Sequence, residues 1–144
     1  MASAMDGYYE VVGRILVHMA SIGLKRIQSV NHENVVKMFG ALSDKPAADS
    51  ILYQDALEWM FAEDLLRASK GGSSREGVFI FSDVQLTAKG IGVIEANPDG
   101  GHGLAKSIKE TEVSTSKGGL SSDTYGKIGS FVGGLLGGFA QSAQ

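Results

Sequence analysis

The residues whose side chains most often carry out chemistry are too scattered here to form a catalytic or metal-binding pattern. The three histidines, His18, His32 and His102, have no carboxylate or second histidine at the spacing of a metal site. Glu63 and Asp64 are adjacent, so on a helix their side chains diverge by about 100° and cannot act as an acid and base pair. Cysteine is absent, which excludes thiolate nucleophiles and disulfide bonds. We therefore expect a protein that is not an enzyme and that binds no cofactor or metal.

Two glycine-containing segments have the composition of functional loops but lack their context. Residues 99–103 (DGGHG) suggest a phosphate-binding loop, yet no predicted strand precedes them and no Gly-Lys-Ser/Thr follows. Residues 69–74 contain serines without the setting of a nucleophile elbow. Both segments are therefore predicted to be solvated loops.

Composition favours one soluble domain with an appendage. The chain has 144 residues, of which 43% are hydrophobic, and 13 basic residues oppose 16 acidic ones for a net charge of −3. This mild acidity disfavours non-specific DNA binding, which requires a surplus of Lys and Arg. The first seven residues show no secretory signal, and the longest apolar region, 128–140, falls short of the ~20 residues that span a bilayer. We expect a cytoplasmic protein.

Helical periodicity dominates the first half of the chain. The first helix has an apolar stripe and ends at Gly23, and a second helix is predicted to begin at Asn31. A third helix is predicted from about Asp49 or Ser50 to Glu63. The inward residues of the three helices are Tyr8, Val11, Val12, Ile15, Leu16 and Met19, then Val35, Phe39 and Leu42, then Tyr53, Ala56, Leu57, Met60 and Phe61.

The next segment changes to extended structure. Leu65 and Leu66 are predicted to form a short strand, residues 70–77 (KGGSSREG) a polar hairpin loop, and residues 78–86 a return strand. Thr87 is expected to cap a fourth helix over residues 88–96, which Pro98 terminates.

These elements carry a resemblance to a known fold. The runs 55–67 (DALEWMFAEDLLR) and 84–95 (VQLTAKGIGVIE) resemble winged-helix (winged helix-turn-helix) proteins of bacterial regulators and their uncharacterised phage and bacterial relatives. The segment 86–90 (LTAKG) supplies a strand end, an N-cap and a helix start in that order. The resemblance implies an α+β winged-helix domain over residues 5–98, with three helices, a β-hairpin wing and a fourth helix. It identifies a fold more than a function.

The outward side of the third helix is acidic, because no Lys or Arg occurs from Pro46 to Leu66. Carboxylates facing phosphates would repel DNA, so this side is predicted to bind a protein partner. Trp59 lies off the main apolar stripe and either completes the core, which we favour, or anchors an interface. The candidate partner-binding residues are Gln54, Asp55, Glu58, Trp59 and Glu63 on this helix, with Lys70 and Arg75 on the wing.

The C-terminal part comprises a polar Gly/Ser-rich linker, 99–120, and a glycine-faced amphipathic helix, 121–144. Six glycines between residues 126 and 138, at ~1 kcal/mol each relative to Ala, cost an isolated helix ~6 kcal/mol. The helix therefore needs a surface to pack against, and we favour its own domain or a second copy of itself over a membrane. Its predicted packing face comprises Tyr125, Ile128, Gly129, Val132, Gly133, Leu135, Gly137 and Phe139.

These observations support three functional hypotheses. The favoured one is a non-catalytic, macromolecule-binding module, such as a bacterial or phage accessory protein. It contacts a protein partner through its acidic winged-helix surface. Its C-terminal helix docks on its own domain or self-associates, for example in a homo-oligomer. The alternatives are a DNA-binding transcriptional regulator that uses Lys70 and Arg75, and a membrane-associated effector that uses the glycine-rich helix.

Overall fold

The structure is a computed structural model that describes residues 4–75, 78–96 and 122–142. Within these ranges the chain forms an α+β fold of five helices and a small antiparallel sheet of four strands. The elements are α1 (Ala4–Ile22), β1 (Ile27–Asn31), α2 (Val35–Phe39), α3 (Pro46–Ala62), β2 (Leu66–Arg67), β3 (Lys70–Arg75), β4 (Val78–Leu86), α4 (Ala88–Glu95) and α5 (Ser122–Ser142).

The strand β4 organises the sheet, because the other three strands all pair with it in antiparallel fashion. β1 lies on one side, with Ile27 opposite Val84 and Asn31 opposite Ile80. β2 and β3 follow one another along the other side of β4. The order of helices and strands is compatible with a winged-helix-like arrangement.

The core lies between α1, α3 and the inner face of the sheet. The fully buried side chains with the largest volumes come from all three, so the helices and the sheet share one hydrophobic cluster. They are Val11, Ile15, Leu16 and Met19 of α1, Val30 of β1, Val35 of α2, Tyr53, Leu57 and Met60 of α3, Leu65 and Leu66 after α3, and Val84 of β4.

Several local predictions are confirmed. Gly23 ends α1 with a φ of 66°, a conformation that glycine adopts without steric cost. β4 covers the predicted residues 78–86. The hydroxyl of Thr87 accepts a hydrogen bond of 2.9 Å from the backbone N–H of Gly90, so Thr87 caps α4 as expected.

The beginnings of the second and third helices were predicted wrongly. α2 begins at Val35, whereas Asn31 ends β1 and its side-chain oxygen accepts hydrogen bonds from the N–H groups of Glu33 and Asn34. Asn31 thus stabilises a turn, a role that suits asparagine because its short side chain bonds to the backbone two residues on. α3 begins earlier than predicted, at Pro46, whose fixed φ suits the first turn of a helix.

The sheet contains two strands that the sequence did not reveal. β1 was not predicted, and residues 70–75 form β3 where a loop was expected. The glycines and serines of β3 have little intrinsic preference for strands. β3 instead pairs along β4, for example Gly72 with Ile80, so its backbone groups obtain partners through tertiary structure.

Candidate functional site

The outward side of α3 carries most of the residues predicted to bind a partner. Asp55 and Glu58 are exposed and Glu63 is partly exposed. Trp59 is 37% exposed, so the favoured interpretation of Trp59 as a core residue is wrong. The core beneath α3 is instead filled by Tyr53, Leu57 and Met60.

Two polar residues of α3 point inward rather than toward a partner. Gln54 is only 6% exposed, which corrects its assignment to the partner-binding surface. Asp49 is also buried, and its carboxylate accepts hydrogen bonds from the N–H groups of Leu42 and Ser43 and, at 2.7 Å, from the Ser43 hydroxyl. Asp49 therefore holds the turn that leads into α3 and adds no charge to its outer surface.

The C-terminal helix α5 packs on α1 of the same chain. Tyr125, Ile128 and Val132, from the predicted packing face, are buried there, and Leu135 is partly buried. Gly137 and Phe139 belong to α5, but their contacts lie outside the described part of the chain.

Glycines on both helices permit a close approach between α1 and α5. A Cβ added to Gly129 would lie 1.8 Å from the carbonyl oxygen of Tyr9, and one added to Gly13 would lie 2.0 Å from that of Tyr125. Neither position has room for a side chain. Sequence reasoning missed Gly13, although a glycine within a strongly amphipathic helix is itself a signal of close packing.

A cation–π contact also joins α1 to α5. The Arg14 guanidinium lies 4.5 Å from the centre of the Tyr125 ring, and its Nε pairs with the Glu10 carboxylate at 2.9 Å. Arg14 also donates a long hydrogen bond, 3.5 Å, to the Phe39 carbonyl. The pairing with Glu10 holds the guanidinium beside the ring, so α1 and α5 share an electrostatic as well as an apolar contact.

A pocket lies where α1, α3 and α5 meet, with a volume of about 350 Å³. It brings Asp55 and Trp59 of the predicted partner surface together with Gly129 and Gly133 of the predicted packing face. The hydroxyl of Tyr8 donates a hydrogen bond of 3.0 Å to the Asp55 carboxylate, and this bond raises the pKa of Tyr8. The lining residues are Met5, Tyr8, Tyr9, Val12, Asp55, Ala56, Trp59, Gly129 and Gly133.

The hairpin of β3 and β4 contributes no described residue to the lining of this pocket. Lys70 is exposed on β3, opposite Ser82 of β4, whereas the side chain of Arg75 lies outside the described part of the chain. The outer face of the hairpin also presents Ile80, which is 54% exposed. Among the described residues of the hairpin, Lys70 is thus the basic side chain and Ile80 the exposed apolar one.

The two histidines that the structure describes, His18 and His32, have separate surroundings. His18 is half-buried with its ring edge-on to Phe39 at 5.2 Å, and burial lowers its pKa. His32 contacts the Phe79 carbonyl through Nδ1 at 3.2 Å, and His102 lies outside the described residues, as does the predicted linker 99–120. Among the side chains described, no group of three His, Asp or Glu residues is arranged to hold a metal ion.

Comparisons with known proteins do not assign the chain to a family. No protein-family model matches the chain, and neither the curated proteins nor the solved structures include a significant match. Among the helices that the structure describes, none combines the length and the apolar character needed to cross a membrane.

Proposed function

We propose that this protein is a non-catalytic, cytoplasmic binding module with a winged-helix fold that contacts a protein partner through the outward side of α3. The observation that carries the proposal is the exposure of Trp59 on a helix whose neighbouring outward residues, Asp55 and Glu58, are acidic. Exposed tryptophans are enriched among the residues that dominate binding energy at protein interfaces. An acidic rim around such an anchor favours a partner with a basic surface.

The charge of α3 also distinguishes this proposal from a DNA-binding regulator. In winged-helix DNA readers, the helix at this position enters the major groove with polar and basic side chains outward. Here Asp55 and Glu58 would meet phosphates without any Lys or Arg on the same helix. Lys70 on the wing is a described residue that fits the DNA hypothesis, but it lies on β3 and does not offset the carboxylates of α3.

The proposal is tested by site-specific photo-cross-linking in cells that express the full-length protein. A photoreactive residue at Ala62, exposed near the end of α3, should cross-link to one discrete protein. The same residue at Ala88, exposed on α4, serves as the matched control. The substitution Trp59→Ala should remove the Ala62 cross-link, because it deletes the anchor.

Duplex-DNA binding by the purified protein provides the opposing measurement. DNA binding that weakens steeply between about 50 and 200 mM salt, without a discrete cross-link at Ala62, would overturn the proposal and favour the regulator. Equal cross-linking from Ala62 and Ala88 would overturn the assignment of α3 as the interface.

A further inference from the structure

The pocket between α1, α3 and α5 has walls suited to a positive charge. We propose that it binds the cationic end of a lysine or arginine side chain of the protein partner. This inference rests on the proposed function. The volume of about 350 Å³ lies in the range of small-molecule sites and is ample for one long side chain.

Aromatic side chains from two helices line the pocket. Tyr8 and Tyr9 come from α1 and Trp59 from α3. The faces of such rings carry negative potential and attract ammonium and guanidinium groups, and clusters of them form the cages that bind alkylated ammonium ions. Met5 and Val12 add apolar surface that suits the aliphatic stem of a lysine or arginine.

Asp55 determines the sign of the charge that the pocket accepts. It is the one carboxylate among the described lining residues, and no lysine, arginine or histidine is among them. The hydrogen bond from Tyr8 orients the carboxylate beside the aromatic walls. A carboxylate in this position repels an anion, and it forms a charge-assisted hydrogen bond with an incoming ammonium or guanidinium group.

The helix α5 completes the pocket. Gly129 and Gly133 line it without contributing side chains, and a Cβ at Gly133 would lie 2.9 Å from the ring of Tyr9. The docking of α5 thus sets the position of one aromatic wall while leaving the cavity open. The docking of α5 therefore closes one side of the cation site.

A peptide titration tests the proposal, because Trp59 is the one tryptophan of the chain and reports on the pocket directly. The probes are acetyl-Ala-Arg-Ala-amide and the same peptide with citrulline, which has nearly the shape of arginine but no charge. The readouts are Trp59 fluorescence and the NMR signal of the Trp59 indole N–H, at constant ionic strength. We expect saturable binding of the arginine peptide and no saturation with the citrulline peptide.

Two charge-removing substitutions provide the test and its control. Asp55→Asn keeps an acceptor for the Tyr8 hydroxyl but removes the charge, and it should weaken binding of the arginine peptide by ~10-fold. Glu95→Gln removes one charge from an exposed position on α4, outside the pocket lining, and should change the affinity by less than about twofold. An equal response to both peptides, or an unchanged affinity in the Asp55→Asn protein, would overturn the proposal.

This assay needs no partner, so it separates the two proposals. A cross-link at Ala62 without selective binding of the arginine peptide would overturn the cation pocket and leave the proposed function intact. Selective peptide binding without a cross-link would overturn α3 as the protein interface, and with it the partner as occupant, and would leave only a pocket that accepts a cation. A further outcome is a protein of doubled solution mass that the arginine peptide converts to the monomer. In that case a second copy of the chain supplies the side chain, and the proposal that a different protein occupies the pocket would be overturned.

Discussion

At the scale of single residues, hydrogen-bonded polar groups stabilise the chain at both ends of α3. The carboxylate of Asp49 accepts hydrogen bonds from the backbone N–H groups of Leu42 and Ser43. It thereby stabilises the turn before α3. Asp64 adopts a φ of 61° after α3, and its carbonyl accepts a hydrogen bond from the Thr87 hydroxyl. In both places a side chain supplies the hydrogen-bond partner of a backbone group that lies outside regular secondary structure.

We expect Asp49→Ala to reduce the free energy of unfolding by ~2–3 kcal/mol. The substitution leaves the partly buried N–H groups of Leu42 and Ser43 without their carboxylate acceptor. Urea unfolding of the variant measures the loss. Asp44→Ala, at an exposed position in the same turn, is the control and should remain within ~0.5 kcal/mol of the original protein. Equal effects at both positions would mean that the carboxylate of Asp49 does not support this turn.

We expect His18 to make stability depend on pH below neutrality. Burial lowers the pKa of His18 in the folded state, so the unfolded chain binds more protons once the pH falls below about 6.5. Its contribution is fully present above that pH and is lost as the pH falls toward the lower folded-state value.

Chemical unfolding between pH 5 and 7.5 checks the role of His18. The variant His18→Gln cannot titrate, so its stability should fall less on acidification than that of the original protein. Parallel pH profiles for the two proteins would show that other groups cause the dependence.

At the scale of elements, the docking of α5 is a close balance of opposing terms. Full burial of Tyr125, Ile128 and Val132 contributes ~5–9 kcal/mol, which the ~6 kcal/mol cost of the helix glycines nearly cancels. Only some of those glycines are required by packing. Gly129 faces the Tyr9 carbonyl, whereas Gly126 and Gly134 have no neighbouring atom within 4 Å of an added Cβ.

Alanine substitutions in α5 should therefore have opposite signs. Gly126→Ala and Gly134→Ala should each stabilise the protein by up to ~1 kcal/mol, because alanine favours the helix and meets no neighbour. Gly129→Ala should destabilise it by at least ~2 kcal/mol or undock α5, because the new Cβ overlaps the α1 backbone.

Thermal unfolding, combined with hydrogen exchange of the α5 amides, measures these effects. Gly129→Ala and Gly126→Ala are the same substitution three residues apart on one helix. The gain in intrinsic helix preference is therefore the same for both and cancels when their stabilities are compared. Similar shifts for both substitutions would contradict the close approach of α5 to α1.

At the scale of the whole molecule, α5 covers an apolar side of α1 that the remaining elements leave open. Tyr9 and Val12 line the pocket beside α5, and Gly13 lies beneath Tyr125. The helix thus both shields α1 and completes the site next to α3. Its removal should affect solution behaviour and ligand binding together.

We expect the full-length protein to be monomeric and a 1–120 truncation to self-associate. The truncation exposes the side of α1 that α5 covers, and apolar patches of this kind drive association. Light-scattering mass at several protein concentrations measures the difference. An oligomeric full-length protein with a monomeric truncation would instead identify α5 as the assembly element.

The sequence alone determined the elements whose signals are local. The apolar stripe of α1, the bounds of β4 and the Thr87 cap follow from spacing and residue type within a few positions, because helix and strand periodicity is a property of neighbouring residues. The same reasoning found the buried positions 125, 128 and 132 of α5.

Only the tertiary structure decided which elements and side chains meet. β3 exists through pairing with β4, and Gln54 is buried while Trp59 is exposed, although both lie on α3. The spacing on α3 correctly predicted Tyr53, Ala56, Leu57 and Met60 as inward. It did not place Gln54 and Trp59, because α3 carries apolar residues around much of its circumference. The pocket combines Asp55 of α3 with Gly129 of α5, which are far apart in sequence. No local spacing could have predicted this, because contacts between distant segments depend on how the helices pack.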